Sequence, residues 1–183
     1  MKMLKKLLAI VLTGAMALTL LTACGGNAVN DKNIADALND IVKSSVAAGL
    51  TKDYTFKPRT DEQAMAKAIA ALSEAEWNTK GDGDNKFSGP VMKILGLDEG
   101  STNKTSRFVW CGAVVADEIG ATGQAYHAMN EFLGKDAANA GKLPNKKPGD
   151  IRYIGTALGT LTIQGKQTTV RFIVVTAEAV DKK

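Results

Sequence analysis

The sequence predicts an α+β domain, with N-terminal helices packed on a C-terminal antiparallel sheet. Three observations lead there. Apolar residues recur at helical spacing early in the chain, as in Ile34, Leu38, Ile41, Val42 and Val46. The last third turns to strand-forming runs, of which residues 170–175 are the clearest. No internal repeat separates the two regions, so residues 33–183 are expected to fold as one domain.

Taken in order, residues 33–50 read as an amphipathic helix with Gly49 near its end. Residues 54–56 fit a short strand before Pro58. Thr60 opens a second helix, with Gln63 three residues on as a capping-box pattern and Met65, Ile69 and Leu72 as a buried stripe leading to Trp77. Residues 78–87 form a polar loop. Its Asp82-x-Asp84 opening invites a calcium site, but Lys86 stands where an oxygen ligand is needed and Phe87 where a glycine is. A solvated turn fits better. Residues 87–97 make a short helix interrupted by Pro90, and 101–106 a loop. In residues 107–120 the apolar run from Phe108 to Trp110 is expected to deliver Cys111 to the first turn of a helix, with Val114, Val115 and Ile119 on one face. Another helix covers 125–132. Residues 143–150, with Pro144 and Pro148, form a connection that cannot be helical. Strands at 151–154, 158–163 and 170–175 complete the sheet, the last two joined through a turn at 164–166.

The N-terminus bears on location. Lys2, Lys5 and Lys6 precede an apolar stretch at 7–21, of a length suited to an export signal and short for a membrane span. Leu21-Thr-Ala-Cys24-Gly25 resembles the bacterial lipoprotein signal, in which the cysteine is lipidated and becomes the new N-terminus. The resemblance implies a signal peptide at 1–23, a tether at 24–32, palmitate-type lipid on Cys24, and a protein held at the extracytoplasmic face of the cell membrane. The mature chain would have 160 residues, and removing three lysines lowers its formal charge from +4 to +1. No basic stripe is left to suggest nucleic acid. With Cys24 lipidated, Cys111 is the one remaining thiol.

A thiol in the first turn of a helix would sit among unpaired N–H groups that favour the thiolate, which is one way to build a nucleophile. It is also an ordinary way to bury a small apolar residue, which is the commoner use of a cysteine. His127, the sole histidine, follows the Gly120–Gly123 turn and is expected out of reach of Cys111. With one cysteine and one histidine in the domain, no metal centre of that type is expected, and no phosphate-binding glycine loop or other cofactor motif occurs.

The order Trp110-Cys111, a hydrophobic segment, Pro148-Gly149-Asp150 and then a Val-rich strand resembles the NlpC-type and CHAP branches of the papain-like superfamily, over about residues 61–175. Cys111 precedes Asp150 by 39 positions. That resemblance implies a papain-like fold, an ancestral activity of cutting amide bonds in cell-wall peptides, Cys111 in the nucleophile position, and Trp110, Asp150 and Thr169 lining the site. Thr169 stands where the family's catalytic histidine would be, and threonine cannot serve as a general base at neutral pH. The expectation is therefore a degenerate relative that binds cell-wall peptide or an envelope protein. The alternative is an active cysteine peptidoglycan amidase or endopeptidase. A second resemblance, covering about residues 119–175, is to the CAP (SCP-like) superfamily: a helix, a turn, Tyr153-Ile-Gly-Thr-Ala-Leu-Gly159, and a terminal hairpin. This chain lacks the two histidines usual there.

Overall fold

Two long C-terminal strands, Lys146–Ile163 (β3) and Lys166–Asp181 (β4), form a hairpin around which the other elements assemble. The computed structural model describes residues 29–77, 87–117 and 119–182. Asp31–Ala47 (α1) leads to Thr55–Pro58 (β1) and Thr60–Ala70 (α2), then to the short helices Glu74–Trp77 (α3), Gly89–Ile94 (α4) and Asn103–Ser106 (α5). Arg107–Val115 is a strand (β2), followed by Ala121–Ala128 (α6), which runs on as a π-helical turn at Met129–Leu133. The sheet order is β1-β3-β4-β2, with β1 parallel to β3 and the other pairs antiparallel. The domain is α+β.

Strand alternation divides the core in two. On one face, Phe108, Trp110, Ile154, Ile173 and Val175 pack under α1 and α6 with Ile34, Leu38, Val42 and Ala125. On the other, Val109, Phe172 and Val174 pack under α2 and α4 with Ala66, Ile69, Val91 and Leu95. Helices cover both faces of the sheet. The reason lies in β4, where residues 170 and 172–175 are all buried: a strand apolar on both sides needs two covers. At Gly155 the α2 backbone at Glu62–Gln63 crosses so closely that any Cβ would strike it.

Local signals hold with shifts. α1 starts at Asp31, capped by Asn30 through a reciprocal box with Asn33. It ends in a Schellman motif: Gly49 at φ 68° donates to Val46 O, and Leu50 N donates to Ser45 O at 2.9 Å. Val29, within the 24–32 stretch read as a tether, packs against the core. Thr60 does not cap α2; Arg59 occupies that position without a side-chain bond, and Gln63 instead donates to Asp31 at 2.9 Å. The segment 143–150 is not all connection, because β3 already begins at Lys146.

Candidate functional site

The sequence-predicted nucleophile is in the middle of a strand. Cys111 sits in β2 opposite Val174, and no helix follows it directly. The nine-residue run 107–115 alternates between the two cores and pairs with β4 throughout, so it is committed to strand before any helix can start. Cys111 therefore has neither unpaired helical N–H groups nor a macrodipole beside it. The residue keeps some exposure, but its thiol packs on the α2-side core, and burial pushes it up to about 12. That is the opposite of activation.

The remaining members of the expected constellation are dispersed. Trp110 faces the α1 side while Cys111 faces the α2 side. Thr169 lies five positions along β4 from Val174, about 17 Å at roughly 3.4 Å per residue, and its N–H donates to Asp117 at 2.9 Å. Asp150 is exposed at the other end of the sheet. There the Pro148-Gly149-Asp150 segment is not a turn but an irregularity in β3, where pairing shifts from Pro148↔Ala179 to Arg152↔Ala177. His127 is exposed on α6, on the α1 side of the sheet and away from the thiol. Among the described residues, no group of three His, Cys, Asp or Glu side chains could hold a metal ion. Cys24, Asp82 and Asp84 lie outside the described residues.

A different site forms on the α1 side. A cavity of about 610 Å³ opens between the end of α1, the π-helical turn and the starts of β2 and β3. Ile41, Val42, Leu50, Met129 and Leu133 make its apolar walls. Trp110 is fixed in it by an indole N–H bond to Lys135 O at 2.9 Å and by offset stacking on Phe108. The β3 irregularity aims Arg152 inward. Its guanidinium carbon lies 3.8 Å from the centre of the Tyr54 ring and 4.7 Å from that of Trp110.

The electrostatics of this arrangement are unbalanced. Arg152 Nε is buried without a hydrogen-bond partner, the only such side-chain atom among the described residues. No ion pair among the described residues involves Arg152. Burial holds its pKa below the ordinary arginine value, partly offset by Tyr54, while burial also raises that of Tyr54. The lining carries five cationic residues, Lys135, Lys146, Lys147, Arg152 and Lys182, against a single acid, Asp136. Of these, Lys146 pairs with the exposed Asp181 at 2.8 Å, and Lys182 donates to Pro144 O.

The other two buried arginine-centred groups are satisfied. Arg171 bonds Gln124, Thr156 and Val29 O. Arg59 pairs with the fully buried Glu62, which also accepts from Thr176 at 2.6 Å. Sequence reasoning found Trp110 but missed Tyr54 and Arg152. The available signal was the alternation Arg152, Ile154, Thr156, which puts a cation on the same strand face as a core isoleucine.

Comparison with family models, with curated proteins and with solved structures finds no match to this chain.

Proposed function

We propose that this chain is a lipid-anchored envelope protein, held at the extracytoplasmic face through Cys24, whose domain binds a ligand and does not cleave one. The observation that carries the binding role is the cavity around Arg152, a half-buried cation with an orphaned Nε among apolar and aromatic walls. A pocket of this size suits a small molecule or the end of a cell-wall peptide better than a protein surface. The thiol that would drive hydrolysis is on the opposite side of the sheet, with burial suppressing its thiolate. Of the two family resemblances, the SCP-like one has residues 153–159 within β3, the first strand of the terminal hairpin, with helix α6 before it. The NlpC-type one loses the helix expected behind its cysteine.

The anchor and the lack of hydrolysis are tested together. Metabolic labelling with an alkyne palmitate analogue should mark the wild-type chain and leave Cys24→Ala unlabelled. Purified domain incubated with peptidoglycan should release no muropeptides. Release that disappears in Cys111→Ser would instead establish an amidase.

A further inference from the structure

We infer that the cavity is a subsite for an organic carboxylate with an apolar body, whose carboxylate is held by the Arg152 guanidinium. This rests on the binding role proposed above and adds the chemistry of the ligand.

Four features converge on it. Guanidinium groups buried in this molecule are otherwise paired or bonded: Arg171 has three acceptors, and Arg59 has Glu62 and Thr176. Arg59 also lies over a ring, that of Tyr153 at 3.9 Å, but Arg152 alone among them has no acceptor on Nε. The guanidinium carbon lies over both the Tyr54 and Trp110 rings, and the donors of the planar group bond in the plane of its edge. A carboxylate offers two oxygens in the spacing that such an edge matches.

The second feature is charge. The lysines at the mouth, of which Lys135 and Lys147 have no ion pair among the described residues, give the opening a positive field. That field attracts anions and repels cations. The third is the wall. Apart from its charged residues the lining is largely aliphatic and aromatic, which favours a hydrocarbon or aryl body over a sugar or an inorganic ion. The fourth is cost. An arginine left beside apolar walls without an acceptor is unfavourable to the fold, and a bound carboxylate removes that penalty when it arrives.

The test uses the chain from Gly25 onward, since the whole described core lies within residues 29–182. Two fluorescent probes share an aryl body: 8-anilino-1-naphthalenesulfonate carries an anion and N-phenyl-1-naphthylamine does not. Both should bind the wild type. In Arg152→Gln, affinity for the anionic probe should fall about tenfold or more, with the neutral probe unchanged. 4-Phenylbutyrate should displace the anionic probe, and 4-phenylbutyramide should do so at least tenfold less well. The thermal midpoint of Arg152→Gln should equal or exceed that of wild type, which separates loss of the subsite from loss of the fold.

The failures are distinct. If neither probe binds the wild type, the cavity is not a binding site and the function proposed above falls with it. If both probes bind wild type and Arg152→Gln alike, the cavity binds apolar matter and the anion subsite is wrong. If the anionic probe depends on Arg152 but 4-phenylbutyrate does not displace it, the assignment to carboxylates is overturned.

Discussion

At Cys111 a strand environment reverses the chemistry that a helix start would have given. The thiol is raised to about 12 against 9.0 for the free group, because its core neighbours solvate a thiolate poorly. This has a consequence for stability. Between those two values the unfolded chain gives up the proton and the folded chain keeps it, so the folded state binds more protons. Stability that is fully present below pH 9 is then lost as pH rises toward 12, at up to about 1.4 kcal/mol per pH unit. Denaturant melts of wild type and Cys111→Ala should run parallel below pH 8.5 and diverge above it, wild type losing more. In the native protein, Ellman's reagent at pH 8 should react with Cys111 only at the rate of unfolding. Rapid stoichiometric labelling without denaturant would show that the thiol is open after all.

Among the secondary elements, the sheet edges show most plainly what the sequence could and could not disclose. Each outer strand is closed by an asparagine amide rather than by another strand. Asn39 of α1 accepts from Phe56 N at 2.7 Å and donates to Phe56 O at 3.0 Å, capping β1. Asn139 accepts from Val109 N at 3.1 Å and donates to Arg107 O at 2.6 Å and toward Asn103 O and Lys104 O, capping the start of β2. Asn139 is buried, so its loss strands several backbone groups at once. Asn139→Ala is expected to destabilise by about 2–4 kcal/mol and to increase aggregation through the freed edge. Asn39→Ala, partly solvated, should cost roughly half as much. Urea melts with light scattering check both, and equal small losses would mean that solvent replaces the caps.

Periodicity announced α1, α2 and the terminal hairpin because each carries its own apolar pattern. It announced nothing about Asn39 or Asn139, whose partners lie 17 and up to 36 positions away. The helix expected over 107–120 also fails, because an apolar run this short does not by itself separate helix from strand. Nine ladder pairs with β4 decided the matter, and a single sequence does not display them. The cavity is hidden for the same reason: Tyr54, Trp110 and Arg152 come from three strands or strand edges and meet only when the sheet closes.

At the scale of the whole molecule, Val29, the first described residue, and the cavity sit at opposite ends of α1. The entering chain is pinned where Arg171 donates to Val29 O at 2.7 Å and where Asp31 accepts from Thr156 N and Oγ1. The cavity begins at Ile41, Val42 and Ser45 and continues past Leu50. From Asp31 to Ser45 is about 20 Å at roughly 1.5 Å per residue. Cys24 precedes Val29 by five residues, a reach of at most about 18 Å. A lipid on Cys24 would thus draw the Arg171 end toward the bilayer, with the cavity at the far end of α1 and open to soluble ligands. Trp110 reports on this directly once Trp77 is replaced. In the lipidated Trp77→Phe chain on vesicles, bromine-labelled acyl chains, which quench only near contact, should leave Trp110 emission unchanged. Soluble 4-phenylbutyrate should then perturb that emission to the same extent on vesicles as on the chain from Gly25 onward. Strong quenching by the labelled lipids would put the cavity against the membrane, and its ligand would have to arrive from the bilayer instead.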